Sequence, residues 1–333
     1  MKKNPTNSSS FSPQQGYQRL RGNTTEDLLQ SGAAHKQGLS QLSTPQEITS
    51  RLWQDLEGTW VGSKGWNIIA VPAPGSQPED EGRFKLMVHP FTETLSFTNA
   101  GAPARNRGGE LDQFIAALEY QQRVSHRETD ELLHIEDGMF MNLATIVNQK
   151  GQRQPSPEFP IARSGTIPHG DSIMLLGKTP TAKPGAPDIS NISSLPPDIG
   201  KVTEEKRKEY LKQYSELGTP VNIPNPNASL REELEKQAKE GLEITETITM
   251  AFDSQNSGGI VNIPFIVKHA NATRMQAIFW LEKVRNKHTD QEFDQLQYTQ
   301  IIDLEFHRKF GSDPDKNDLI IWPHITINTL VKQ

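Results

Sequence analysis

The sequence predicts a mainly β protein: a single closed, antiparallel, up-and-down β-barrel of about ten strands, with a short N-terminal helix and a helical insertion. Strand-like runs of β-branched and aromatic residues recur from residue 59 to the end of the chain, and short turns join most of them. Several runs alternate apolar and polar residues with a period of two, as around Phe91, Leu95 and Phe97. Closing such strands into a barrel removes their exposed edges.

The chain has 333 residues, a net charge of −6, 34% apolar residues and no cysteine. Interspersed charges of both signs exclude the basic face that a nucleic-acid partner needs. The absence of cysteine excludes disulfides and thiolate ligands. Neither an integral membrane segment nor a signal sequence is recognisable, so we predict a cytoplasmic protein.

Two regions differ in composition. Residues 1–43 are rich in Ser, Gln, Asn, Thr and Gly, and we predict a disordered tail because so few apolar residues cannot offset the ordering entropy. Residues 44–333 form the predicted barrel domain. It opens with a capping box at Thr44 and Glu47, and the helix that follows carries an apolar stripe at Ile48, Leu52 and Leu56.

The predicted strands come in two groups, on either side of the insertion. After the helix, glycines interrupt a first strand and allow it to bend. By residue range, the predicted strands are 59–71, 91–98, 114–127, 131–147, 161–176, 242–252, 260–270, 274–284, 296–310 and 319–331.

The insertion, at about residues 178–241, begins with a proline-rich stretch that predicts a loop. Two helices are expected after it, over residues 203–217 and 229–240. Ser229 and Glu232 suggest a capping box for the second helix. We interpret the insertion as a flap beside one mouth of the barrel.

Four of the nine histidines lie in strand-like, apolar surroundings, where an imidazole needs a partner: His134, His169, His269 and His324. Each is either a hydrogen-bonded core residue or a ligand. His169 is the best framed, since Pro168 stiffens the backbone before it and Gly170 permits a tight turn after it. Motifs for zinc sites, serine hydrolases, phosphate loops and dinucleotide binding do not occur.

Two later segments carry polar side chains on one face of a strand. Gln295, Gln297 and Thr299 share a face, which is either a wet interior or a solvent face. His324, Thr326 and Asn328 share another face, and the period alone does not say whether that face points inward.

Several short runs together carry a family resemblance. The chain resembles bacterial haem-binding β-barrel proteins of the calycin type, which are related to fatty-acid-binding-protein-like barrels and, more distantly, to nitrobindin. The resemblance spans roughly residues 50–331, apart from much of the insertion. It rests on the segments 56–62, 134–138, 166–172, 262–265, 279–282, 295–300 and 322–324.

The resemblance implies a barrel with a histidine-bound b-type haem in or near its mouth, and some of the relatives are labelled peroxidase-like oxidoreductases. By preference His169 ligates the iron, with His324 as the alternative. Either His134 or His324 then serves as a distal proton acceptor, and Arg163 polarises a bound peroxide or holds a propionate. Gln297 and Tyr298, from the most specific run, are expected to contact the cofactor.

Two alternatives stay open from the sequence. One is a non-enzymatic, lipocalin-like carrier of a hydrophobic small molecule, in which the histidines bond its polar head. The other is a cofactor-free isomerase or cyclase that uses His134 and Glu136, which lie two residues apart on one strand face. Assembly into a homo-oligomer is also left open.

Overall fold

The computed structural model describes residues 45–75, 82–313, 315–316 and 318–333. Ten of its strands close into an antiparallel barrel, which confirms the predicted fold class. Within this part of the chain, no helix is long and apolar enough to cross a membrane. The predicted tail and Thr44 lie outside the described residues.

Thirteen strands are present in the described residues. They are β1 (Gly58–Pro72), β2 (Phe84–Asn99), β3 (Ala104–Gly108), β4 (Leu111–His126), β5 (Leu132–Asn148), β6 (Ile161–Ile167), β7 (Asp171–Gly177), β8 (Thr181–Pro184), β9 (Leu242–Asp253), β10 (Gly259–Asn262), β11 (Asn271–Asn286), β12 (Glu292–Arg308) and β13 (Leu319–Lys332). The helices of the same residues are α1 (Pro45–Leu56), α2 (Glu204–Tyr210), α3 (Gln213–Glu216), α4 (Asn227–Lys239) and α5 (Pro264–His269).

The barrel wall follows the order of the chain. The ring runs β1-β2-β4-β5-β6-β7-β9-β11-β12-β13, and β13 returns to pair with β1. Three short strands lie beside it: β3 pairs with β4, β8 with β9, and β10 with β7. The join between β7 and β9 consists of one residue pair, Leu176 with Asp253, so it is the narrowest seam of the wall.

Helix α1 closes one end of the barrel, called here the lower end. Leu52 and Leu56 are fully buried in the interior core beside Trp60, whose indole N–H donates to the Leu56 carbonyl at 2.8 Å. This arrangement confirms the helix predicted from the apolar stripe. The opposite, upper end contains the turns that follow β4, β6 and β12.

Two segments predicted as single strands are broken. Residues 161–176 form β6 and β7, joined by a turn in which Gly170 has φ +110° and its amide donates to Ile167. Residues 260–270 begin as β10 but continue as α5, because Pro264 lacks the N–H of a ladder and suits the first turn of a helix. Both departures occur at Pro residues inside apolar runs.

The insertion differs from its prediction at a helix start and in the proline-rich loop. Helix α4 begins at Asn227, so Ser229 lies inside it and the predicted capping box is wrong. By contrast, Thr203 does cap α2, accepting a hydrogen bond from the Lys206 amide at 3.2 Å. The proline-rich loop contains a short strand, β8.

The insertion packs along the outer wall of the barrel, not beside a mouth as predicted. Its apolar residues share a buried cluster with outward-facing residues of the wall, so these strands are covered on both faces. On the insertion side the cluster includes Ile189, Ile199, Leu211, Tyr214, Val221 and Leu230; on the wall side it includes Ile68, Leu86, Trp280, Ile325 and Ile327.

Candidate functional site

A fully buried ion pair crosses the barrel interior below the upper end. The Arg163 side chain on β6 donates from Nη2 to Glu136 Oε1 on β5 at 2.7 Å, and both residues are at most 2% exposed. Arg163 also donates from Nε to the Tyr120 hydroxyl at 3.2 Å and from Nη1 to Gln300. The Tyr120 hydroxyl donates in turn to Glu136. These four residues are called the Arg163 layer.

Aromatic rings surround the guanidinium of this layer. Its carbon lies 5.3 to 5.6 Å from the ring centroids of Tyr120, Phe140 and Phe279. Ring faces attract cations most strongly where water is excluded. The charge of Arg163 is thus met by a carboxylate, two polar side chains and three rings.

The charges of the layer are stable at neutral pH. Burial alone would raise the pKa of Glu136, but the charge of Arg163 and hydrogen bonds from His134 and Tyr120 outweigh it and lower that pKa to about 2. Burial also acts to lower the pKa of Arg163. The interactions with Glu136 and Tyr120 outweigh burial, so the pKa of Arg163 is raised. Glu136 is therefore an ionised acceptor, not a proton donor.

One glycine, Gly165, makes room for the layer. Gly138 and Gly165 face each other across β5 and β6. A Cβ atom on Gly165 would lie 2.5 Å from Glu136 Oε1 and 2.6 Å from the Tyr120 hydroxyl. A side chain here would displace the atoms that hold Arg163.

A second buried carboxylate, Glu93 on β2, lies nearby. It accepts hydrogen bonds from the Tyr298 hydroxyl at 2.6 Å, Asn328 Nδ2 at 2.8 Å and Gln122 Nε2 at 2.7 Å. Burial raises the pKa of Glu93 against the effect of these bonds. Tyr298, expected to contact a cofactor, is therefore a fully buried partner of Glu93.

Three histidines from distant parts of the chain meet at the upper end, and we call them the histidine cluster. The rings of His134 on β5 and His169 in the β6–β7 turn have centroids 5.4 Å apart. His324 on β13 shares the inward face with Asn328, and its charge couples to both other rings. The sequence named all three residues, and the structure brings them together.

Each imidazole of the cluster has a different partner. His134 Nε2 lies 3.4 Å from Glu136 Oε2, which links the cluster to the layer below. His324 Nε2 lies 2.6 Å from Asn67 Oδ1. A ring N–H of His169 donates to the backbone carbonyl of Leu133.

Two imidazoles of the cluster, those of His169 and His324, are favoured in the neutral form. Burial, and then the charge of His134, lowers the pKa of His169, and burial with the charges of His134 and His169 lowers that of His324. Asp171, at the start of β7, couples to His169 and His134, and burial raises its pKa. Its Oδ1 atom is buried and, in the described part of the chain, has no hydrogen-bond partner.

A further histidine pair was missed by the sequence reasoning. His89 on β2 and His126 on β4 have ring centroids 5.5 Å apart, and burial with the charge of His126 lowers the pKa of His89. His89 lies on the same face of β2 as Phe91 and Glu93, which are both buried. Extending that alternation two residues backwards would have placed it on the inward face.

Two other sequence candidates lie away from the cluster. Gln297 projects from the outer face of β12, where its Nε2 donates to Thr329 Oγ1 at 2.8 Å beneath α4. The polar face of Gln295, Gln297 and Thr299 is therefore neither a wet interior nor a solvent face, because the insertion covers it. His269 is exposed on α5, and its ring stacks on Phe265 at 4.2 Å.

The cluster is not a preformed site for a bare metal ion. Among the described residues, no group of three or more His, Asp or Glu side chains is arranged to hold one. The upper end holds separate imidazoles, two of which already use Nε2 in contacts with Glu136 and Asn67.

Comparisons with known proteins give likenesses among solved structures. No protein-family model matches the chain, and no curated protein matches it. Among solved structures the chain is similar to Rv2717c from M. tuberculosis, with 13% sequence identity and a TM-score of 0.35. The match covers 88% of this chain and 99% of that one.

Proposed function

We propose that the protein binds a haem at the upper end of the barrel, with His169 as the axial ligand of the iron. The observation that carries the proposal is the histidine cluster, in which the rings of His134 and His169 lie 5.4 Å apart and their charges act on the third imidazole, His324. Neutral imidazole is the commonest protein ligand of haem iron and the form that lowered pKa values favour.

The residues fit the group. Metal-bound histidines almost always donate their other ring N–H to a carbonyl or carboxylate, as His169 does to Leu133. His324 is the less favourable ligand because its Nε2 already contacts Asn67. Ile167, Ile260 and Ile302 pack against the interior core from partly buried positions and supply apolar surface.

A bound haem would supply one-electron and peroxide or O₂ chemistry for the oxidation of a small apolar molecule. His134 is suited to accept a proton at Nδ1, since its Nε2 faces the ionised Glu136, which stabilises the resulting imidazolium. Arg163 holds Glu136 in place. Because Glu136, Tyr120 and Gln300 occupy its three nitrogens, we assign it this positioning role and no contact with a propionate.

The test is an absorption titration of the purified protein with haemin. We compare wild type, His169→Ala and His324→Ala with His269→Ala, a control that removes an exposed histidine outside the cluster. We expect a Soret band in wild type and His269→Ala, a shifted and weakened band in His169→Ala, and a retained band in His324→Ala.

Equal bands in all four proteins would contradict axial ligation by His169. No band in wild type would overturn the haem proposal and favour the carrier. In that case an apolar dye should bind, and His169→Ala should leave its affinity unchanged.

The 3.4 Å contact between His134 and Glu136 supports a second candidate, cofactor-free proton transfer at the same end of the barrel. In this role His134 is the base and Glu136 orients its ring. Haem-free protein would then catalyse deuterium uptake from D₂O into an apolar enolisable ketone, and His134→Asn would abolish it. Equal uptake with both proteins would exclude this candidate.

A further inference from the structure

An uncharged segment protrudes beside the histidine cluster. Residues 258–267, here called the apolar tip, contain no charged side chain and span β10 and the start of α5. Four of its apolar residues are strongly exposed: Val261 by 73%, Ile263 by 47%, Phe265 by 63% and Val267 by 53%. Large apolar side chains exposed contiguously mark interaction sites.

The tip is fixed on the barrel at its polar points. The Ile263 amide donates to the Gly170 carbonyl at 2.9 Å, next to His169. Asn262, the one polar side chain of the segment, turns to Asn271 Oδ1 at 3.1 Å and the Ala272 carbonyl at 2.8 Å. The tip therefore uses its polar groups internally and presents apolar groups to the outside.

The apolar surface continues onto the barrel wall. Met174 on β7 lies opposite Gly259 in the sheet and is itself 40% exposed. The patch thus extends from α5 across β10 to β7, along one side of the upper end. It borders the seam where β7 and β9 share a single residue pair.

The size and shape of the patch favour a lipid surface over a second copy of this chain. A stable dimer needs about 800 Å² on each partner and roughly 20 residues a side, whereas the tip is ten residues long. Strand addition at β10 is also disfavoured, because β7 pairs with one edge and Asn262 bridges the other to β11. Insertion of a few apolar side chains into a bilayer interface needs no matching partner surface.

We propose that the apolar tip docks the barrel onto a lipid bilayer, with the upper end and its histidine cluster towards the membrane. Phe265 and Val267 enter the interface, and Val261 and Ile263 follow. The proposal goes beyond haem binding and does not depend on it. A ligand that partitions into lipid would then meet the barrel at the end where the cluster lies.

The test is sedimentation of the full chain with phosphatidylcholine vesicles. The tip variant is Phe265→Ser with Val267→Ser. The control is Leu111→Ser with Leu217→Ser, which removes two exposed apolar side chains outside the tip, 42% and 40% exposed. We expect wild type and control to bind the vesicles with the same affinity. The affinity of the tip variant should be at least about tenfold lower.

Three results would overturn lipid docking. The first is that wild type fails to sediment with the vesicles. The second is that the tip variant and the control bind the vesicles equally. The third is that light scattering shows a wild-type dimer that the tip substitutions dissociate. The last result would assign the tip to a second copy. Haemin titration of the tip variant separates the two proposals, since an unchanged Soret band shows that the cluster is intact.

Discussion

The Arg163 layer and the histidine cluster are adjacent polar regions of one barrel, and they differ in how fully their groups are bonded. In the layer, all three guanidinium nitrogens of Arg163 donate to partners, and aromatic rings surround the charge. Beside the cluster, Asp171 keeps a buried oxygen without a partner among the described residues, and within the cluster the rings of His134 and His169 lie 5.4 Å apart.

The difference separates structural from functional polarity. A buried charge that is fully paired sustains the fold as long as both partners stay, and its removal leaves the other uncompensated. A partly bonded group retains capacity for a ligand. The layer should therefore govern stability, and the cluster should govern binding.

The largest expected effect comes from breaking the layer. Arg163→Met leaves Glu136 buried without its cation, and we expect the free energy of unfolding to fall by about 3–5 kcal/mol. Urea denaturation at pH 7 measures the loss.

The double variant Arg163→Met with Glu136→Gln is the control, because it removes both charges and should regain at least half of the lost stability. A loss below about 1 kcal/mol in the single variant would mean that the pair does not sustain the fold.

Glu282 on β11 tests whether a buried carboxylate stabilises the fold only when a cation is paired with it, as Arg163 is with Glu136. Glu282 is fully buried under α4, Gln295 bonds one of its oxygens, and the other has no partner in the described part of the chain. Burial raises its pKa to about 8, although the Gln295 bond lowers it. The stability that the protonated Glu282 side chain contributes is fully present below the unfolded pKa of about 4.3. It is lost as the pH rises through the folded pKa of about 8.

Glu282→Gln should accordingly stabilise the protein by roughly 1–3 kcal/mol at pH 7.5 and by almost nothing at pH 4. Urea denaturation at both pH values measures the difference. Glu119→Gln, which alters an exposed carboxylate, is the control and should show no such pH dependence. Equal effects at the two pH values would contradict an elevated pKa for Glu282.

Gly165→Ala tests the space that the layer requires. The new Cβ atom would press on Glu136 and Tyr120 at about 2.5 Å, and such overpacking costs about 1–3 kcal/mol. Thermal unfolding gives the loss. Gly218→Ala meets no atom within 4 Å and is the control, expected within about 0.5 kcal/mol of wild type. Equal behaviour of both variants would show that the layer tolerates the extra volume.

The smallest stability effect is expected in the cluster. His169 is exposed, and its substitution by alanine removes one hydrogen bond, to the Leu133 backbone, so we expect a loss below about 1 kcal/mol. Urea denaturation of ligand-free His169→Ala measures it. A loss as large as that of Arg163→Met would contradict the division between a structural layer and a binding cluster.

Much of the architecture could be predicted from sequence, and some of the candidate site. The alternation of apolar and polar residues predicted the barrel, and the stripe of Ile48, Leu52 and Leu56 predicted α1. The local frame of Pro168 and Gly170 singled out His169. The pairing of Arg163 with Glu136 was not predicted, because 27 residues separate them and only the register of β5 and β6 makes them neighbours.

The sequence by itself determined that the chain forms antiparallel strands, where α1 begins the domain, and which side chains share a face, since these follow from periodicity and local backbone preference. Tertiary structure decided which face points inward. The insertion buries the outer faces of β12 and β13, so residues such as Gln297 and Ile325 are as hidden as their inward neighbours. With both faces covered, burial no longer distinguishes them, and only closure of the barrel gathers His134, His169 and His324 on one side of the wall.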